Sequence, residues 1–467
     1  MLVRILRHYV PVSLFALVAI EAFIFFFAIY FGVAIRFGVH PTPELETAAR
    51  FLFPKALVFT VVMLATVIAF GLYNRESQES GYAYYLRCAG SFAVGLLVTL
   101  VVFFAIPSLA LGRGAFALAT VVAFSGHMGA RLMFLRLADA DALKRRLLVV
   151  GTGRRAARVA ELQRFNGYRH RFHVVGYLPV NGSHNDVDPS LILREDDSLQ
   201  SIAHKHQIDE IIVGVRERRN GNVPIIDLLE RKIGGTNVID LPTFFERETG
   251  RVQLDIVDPS WFVFSDGFRN GGLHRLLKRS LDIFLSGVLL LVTLPLMLLT
   301  AFAIWLESGR PLFYRQDRIG VGGHSFKLLK FRSMRTDAEP DGEPRWAQLH
   351  DGRCTRVGKI IRRLHLDELP QLLNVLKGEM SFVGPRPERP AFVAQLSKDI
   401  KYYVYRHAIK PGLTGWAQVC YPYGASVEDA KEKLQYDLYY IKNQSLFLDL
   451  VIFAQTAHIV LFGKGAR

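Results

Sequence analysis

The stretch "LHLDELPQLLNVLKGEMSFVGPRPE", Leu364 to Glu388, sets two carboxylates side by side, Asp367 and Glu368, just before a helical run. Gly384, Pro385, Arg386 and Pro387 follow. Neighbouring residues on a helix point about 100° apart, so these acids cannot flank one reacting atom as the paired carboxylates of a glycosidase do. Upstream, "LFYRQDRIGVGGHSFKLLKFRSMR" carries Arg315, Arg318, Lys327, Lys330 and Arg332 among strand-like aromatics and a glycine turn. Alone, such a cation run is an ordinary solvated face. Joined to two carboxylates and "VGPRPE", it suits a metal-bound diphosphate: guanidinium forks grip phosphate oxygens and a carboxylate holds Mg²⁺ across them. Pro370 suits the first position of a helix whose positive end would favour anions near the acids.

These residues need a framework, and the framework is partly membrane. The chain has 467 residues, 51% of them hydrophobic, and a formal charge of +15, which suits an anionic partner such as lipid or nucleotide. Cys88, Cys354 and Cys420 are scattered, supporting neither a zinc site nor a disulfide framework. Four apolar stretches, about 12–35, 51–73, 88–107 and 115–135, are each long enough, or nearly so, to cross a bilayer. Arg4, Arg7 and His8 precede them and Lys144, Arg145 and Arg146 follow, so both flanks are expected in the cytoplasm. Glu21, His127 and Arg131 are expensive in lipid; His127 and Arg131 share a helix face to which Glu21 could pair, a packing role.

After the spans, "RRLLVVGTGRRAARVAELQ" reads as strand, glycine turn and helix, with Gly151, Gly153 and Ala156 in the G-x-G-x-x-A form. Strand and helix patterns alternate to about residue 240, predicting a parallel sheet. The acid that should end the second strand is missing, the first being Asp186 beyond a turn. A structural or regulatory Rossmann-like module is therefore expected ahead of a nucleotide binder. The predicted domains are 1–140 (four-helix transmembrane bundle), 141–250 (Rossmann-like α/β), 251–274 (connection) and 275–467 (mixed α/β with the acids).

A fifth apolar run, Leu281 to Ala303, is long enough to cross, yet crossing would export the phosphate-binding types downstream. Pro295 near its middle removes a backbone donor, so a broken, re-entrant helix over about 280–304 is expected. Lys278 and Arg279 where it enters are placed for anionic headgroups or a lipid phosphate, and Asp282 for pairing with Arg279. The last apolar stretch is short and predicts an interfacial helix.

"KRSLDI", "YRQDRIG", "FKLLKFRSM", "LDELPQLLNVLKGEMSFVGPRPE", "KPGLTGWAQV" and "YDLYYIKNQSLFLDL" together resemble the monotopic phosphoglycosyl transferases, over about 275–467. The preceding spans and α/β module resemble the large members of that family, with a softer likeness to the sugar transferases associated with PEP-CTERM and exosortase gene sets. The resemblance implies transfer of a sugar 1-phosphate from a UDP-sugar to undecaprenyl phosphate with release of UMP, starting exopolysaccharide, O-antigen or capsule assembly at the cytoplasmic face of a bacterial inner membrane. It implies Asp367 as a nucleophile forming a phosphosugar intermediate, Glu368 as the Mg²⁺ partner and Arg362 as a phosphate binder. Adjacent acids pointing apart suit one attacking group and one metal ligand. A ternary-complex reaction with Asp367 as base is the rival mechanism, and a non-catalytic scaffold is the rival function. A dehydratase or epimerase is disfavoured because no tyrosine has a lysine four residues on. Membrane lipids and a second copy of the chain are compatible partners, and nucleic acid is not expected.

Overall fold

The computed structural model describes residues 2–5, 8–38, 52–73, 82–138, 144–164, 172–180, 185–193, 199–215, 223–268, 271–335, 352–421, 424 and 426–462. Arg7 and the domain boundary expected near 140 lie outside them. The chain divides into two compact units, one formed mainly by residues 9–244 and the other by 245–467 with Arg4–His8.

Strands β1 (Leu2–Ile5) and β2 (His8–Pro11), each divided between the units, precede the first unit's helices α1 (Val12–Phe37), α2 (Leu52–Ala69), α3 (Tyr82–Ala105) and α4 (Arg113–Ala138). These four helices are long and apolar enough to cross a membrane. Their mutual core is aromatic and small-residue packing: Phe25, Ile29, Phe59, Met63, Phe92, Ala119 and Ala123. Glu21, His127 and Arg131 are fully buried together. Arg131 donates to both Glu21 oxygens (2.6 and 3.0 Å) and to the Leu72 carbonyl (2.9 Å). His127 Nδ1 lies 3.0 Å from Glu21, and the Tyr73 hydroxyl donates to the same carboxylate.

The α/β module comprises β3 (Arg145–Val150), α5 (Arg154–Arg164), β4 (Phe172–Leu178), α6 (Leu199–Lys205), β5 (Glu210–Val213), α7 (Ile225–Ile233) and β6 (Asn237–Asp240). Its strands are parallel in the order β4-β3-β5-β6, a doubly wound arrangement. Short Val/Ile/Leu runs buried on both faces favour parallel pairing. The glycine loop is spent on structure. Gly151, at φ +111°, donates to the Leu178 carbonyl. Ala156 lets α5 pack on β5, where a Cβ on Gly214 would come within 3.2 Å of it. Asp186 reaches the loop through its backbone N–H, which donates to Thr152.

The second unit adds α8 (Leu241–Thr249, beginning in the first unit), α9 (Pro259–Phe264) and α10 (Gly272–Ser308). It continues with β7 (Phe313–Ile319), β8 (Ser325–Phe331), α11 (Arg356–Arg363), α12 (Gln371–Lys377), β9 (Ser381–Val383) and α13 (Pro390–Asp399). β10 (Gly412–Thr414), α14 (Trp416–Cys420), α15 (Val427–Asn443) and α16 (Leu446–Phe462) complete it. β7 and β8 form an antiparallel hairpin, and β9 pairs in parallel with β10. Val252, Val257 and Trp261, from the stretch expected to be a connection, join Leu372, Phe382, Trp416, Leu438, Tyr439 and Leu448 in this core.

Pro295 does not interrupt the helix. A single helix runs from Gly272 to Ser308 through it. Proline removes one helical donor, but flanking turns stay bonded and a continuous helix is the conformation that leaves fewest bare peptide groups beside apolar side chains. The expected Arg279–Asp282 pair is absent. Asp282 accepts from Ser381 Oγ and Phe382 N at 2.9 and 3.0 Å, because α10 lies on β9 and the strand's donors outcompete a side chain on the same helix.

Candidate active site

The acid pair sits in a 3₁₀ turn, Leu366–Glu368, entered through His365 at φ +56°, and α12 begins only at Gln371 with Pro370 as its cap. At three residues per turn the two side chains diverge by about 120°, and their surroundings differ accordingly. Glu368 Oε1 accepts from Arg386 Nη2 at 2.6 Å and from Lys330 Nζ at 2.9 Å. Burial opposes its ionised form, but Arg386 and Lys330 outweigh this and hold the carboxyl far below the usual range. Asp367 is buried and accepts no hydrogen bond among the described residues. Burial raises its pKa and the Glu368 charge adds to this, while Lys330, Arg362 and Arg386 pull the other way.

Each cation is delivered by a specific element. Lys330 comes from β8, where it lies opposite Tyr314 on the hairpin. Asn374, buried on α12, accepts from Leu329 N (3.1 Å) and donates to the Lys327 carbonyl (2.8 Å), stitching β8 to the helix that follows the acids. Arg386 comes from the loop after β9. A Cβ on Gly384 would lie 2.4 Å from the Lys410 carbonyl, and one on Gly412 would lie 2.1 Å from Gly384 N. Only glycine lets these strands meet, so the glycines of "VGPRPE" and "KPGLTGW" work as a pair.

Several expected site residues lie elsewhere. Arg318 donates to the Pro387 carbonyl at 3.0 Å and faces Glu388, beside the Arg386 loop. Arg315 pairs in register with Leu329, on the hairpin face opposite Lys330, and is exposed, so strand alternation carries it away from the acids. Arg332 is buried against the end of α10, donating to Ser308 O, Ser308 Oγ and Gly309 O at 2.7–2.9 Å. There Nη2 answers the carbonyl end of a helix, while Nε and Nη1 are buried with no partner among the described residues. Arg362 donates to Cys354 Sγ at 2.8 Å, and its charge acts on Asp367.

Lys278 and Arg279 also turn inward. Lys278 reaches Asp449 (2.7 Å), Tyr440 (3.1 Å) and the Val383 carbonyl (3.2 Å). Arg279 donates to the Val375 and Leu376 carbonyls at the end of α12 (2.6 and 2.7 Å). Buried acceptors claim their donors, where the sequence suggested lipid.

Sequence reasoning missed Arg406, the partner of Asp437. Arg406 donates to the Arg386 carbonyl (3.0 Å), Asp437 (2.8 Å) and Tyr403 (2.7 Å) and is buried. Burial pushes Asp437 up to about 6 although Arg406 opposes it. The pair fixes the backbone from which Arg386 projects. An ionisable residue inside the otherwise apolar "YDLYYI" was the available signal.

Residues 273–463 match the family described as bacterial sugar transferase. The uncharacterized sugar transferase EpsL of Bacillus subtilis is 39% identical over 192 residues, covering 41% of this chain and 91% of that protein. The chain belongs to the bacterial sugar transferase family. Family membership covers the unit that holds the acid pair. The UDP-N-acetylgalactosamine-undecaprenyl-phosphate N-acetylgalactosaminephosphotransferase of Aeromonas hydrophila is 44% identical over 222 residues, 48% of this chain and 52% of that one. The undecaprenyl-phosphate glucose phosphotransferase of Komagataeibacter xylinus is 34% identical over 332 residues, 69% of this chain and 60% of that one. The matched stretches thus span about half the length of these larger relatives.

Proposed function

We propose that this protein transfers a sugar 1-phosphate from a UDP-sugar to undecaprenyl phosphate through Asp367. The observation that carries the reading is the asymmetry of the pair: Glu368 is held by two cations while Asp367, beside them, is left uncommitted. The Asp367 carboxylate attacks the sugar-bearing phosphorus; an O–P bond forms, the P–O bond to UMP breaks, and UMP leaves with the electron pair. An oxygen of the lipid phosphate then attacks the same phosphorus and displaces Asp367. Lys330, Arg386 and Arg362 offset the charge that would otherwise repel a carboxylate from a diphosphate.

No three metal-ligating side chains cluster among the described residues. Mg²⁺ does not need them: one or two carboxylates plus substrate phosphates are its usual donor set. Both Lys330 and Arg386 occupy Oε1 of Glu368, so Oε2 fits as the protein's contribution. When bound there, the ion supplies further neutralisation of the diphosphate.

The reading also places the site at the cytoplasmic leaflet, with α10 bent at Pro295 so that it enters and leaves by one face. Support comes from both helix ends being tied to the same unit. Lys278 holds Asp449 at one end; at the other, Glu307 accepts from Arg356 N and Val357 N (2.7 and 2.9 Å). Apolar residues between them, including Leu291, Val292, Leu298 and Leu299, are exposed, as contact with lipid would require. Labelling of Arg315→Cys from outside spheroplasts would sink this topology.

The chemical test is UMP release across a panel of UDP-sugars with undecaprenyl phosphate and Mg²⁺, paired with trapping of label from UDP-sugar carrying ³²P in the sugar-linked phosphate. Label should stay on the wild-type protein and vanish in Asp367→Asn. Near-normal turnover by that variant would show that Asp367 is not the nucleophile.

A further inference from the structure

Helix α7 of the parallel-sheet module carries an apolar face that no described residue covers. Leu228 points into the core, whereas Ile225, Ile226, Leu229 and Ile233 are 55, 72, 56 and 79% exposed. At 100° per residue these four fall within one arc of about 100°. Glu230 borders that arc on one side and Lys232 on the other. Scattered exposed leucines are ordinary, but four large aliphatic side chains in one stripe of a nine-residue helix, outside the apolar spans, mark a contact surface.

We propose that this stripe docks a second copy of the chain, two-fold related, with the two α7 helices parallel. The flanking charges choose both the partner and the direction. In a parallel pair opposite flanks meet, so Glu230 of each copy faces Lys232 of the other; an antiparallel pair would set Glu230 against Glu230 and Lys232 against Lys232. Glu230 Oε2 accepts from Gln200 at the surface, leaving Oε1 for the partner. One short helix buries less than the roughly 800 Å² per partner of a stable free dimer. Copies confined to one membrane meet at a raised effective concentration, so a smaller contact suffices.

Copper-phenanthroline oxidation of the full chain in native membranes tests this, with Ile226→Cys and Ile233→Cys made separately. Each should link to itself and give a species of twice the chain mass, above the background of the unsubstituted protein and of an Asp209→Cys control. In a lipid nanodisc, Leu229→Glu should move the mass distribution toward one copy without changing the helical circular dichroism. Self-links at neither position would overturn the proposal, as would an unchanged mass distribution for Leu229→Glu. A link only between Ile226→Cys and Ile233→Cys in mixed samples would overturn the parallel arrangement. Modification of Ile226→Cys by a photoactivatable lipid in place of self-linking would assign the stripe to the bilayer.

Discussion

Two buried clusters of this chain are built from the same groups and are paired differently. Between the apolar helices, Glu21 meets Arg131, His127 and Tyr73, and both of its oxygens are taken. In the second unit, Lys330 and Arg386 converge on one oxygen of Glu368, and Asp367 is left with charge nearby but no hydrogen bond among the described residues. Complete pairing makes a lock, because any change leaves a buried charge bare. Incomplete pairing leaves a carboxylate able to bond elsewhere. Burial and charge are common to both clusters, so the number of uncommitted lone pairs is what separates the two.

The contrast can be broken by experiment. Asp367→Asn should cost about 10³-fold or more in turnover, with thermal unfolding little changed, since it removes a buried acid that has no partner to orphan; UMP release and a melting curve report the two. Glu21→Ala should do the reverse, destabilising by about 3–5 kcal/mol through an orphaned Arg131 while surviving folded protein keeps its turnover. A Glu21→Ala protein that melts normally would mean that the lock is not one. Arg386→Lys keeps the charge and loses the fork, and about a tenfold fall in turnover is expected. That fall should be partly independent of UDP-sugar concentration.

The pH profile is the subtlest check. Attack needs ionised Asp367, and its pKa lies above the ordinary carboxylate value, so turnover should fall on acidification at a higher pH than a free aspartate would dictate. Lys330→Gln removes a cation that opposes this rise and should move the acid limb to still higher pH. A limb that does not move would detach Lys330 from Asp367.

Much of this was legible in the sequence because local patterns encode it. Apolar length gave the helices long enough to cross a membrane, and βα alternation gave the parallel sheet. Residue type gave the acids, Lys330 and Arg386. Direction was less legible. Arg315 and Lys330 carry the same charge in one hairpin, yet pairing of Arg315 with Leu329 turns it to the other face. Lys278 looks like a phosphate binder by composition, but Asp449, Tyr440 and the Val383 carbonyl take its donors, whereas Arg279 and Arg332 give only part of theirs to buried carbonyls. Arg406 and Asp437, 31 residues apart, meet only after α15 packs on the loop bearing Tyr403, a long-range event with no local signature. Asp282 failed as a partner of Arg279 for the same reason, since the competing donors come from β9, about a hundred residues on.

Oε1 of Glu368 joins three segments that are distant in sequence: the turn itself, Lys330 38 residues before it, and Arg386 18 residues after it. Such a junction has no partial form. Until the hairpin, the turn and the loop have all arrived, Asp367 has neither its burial nor its neighbouring cations. On the proposed reading, a copy caught part-way through folding would therefore lack the environment that the attack requires.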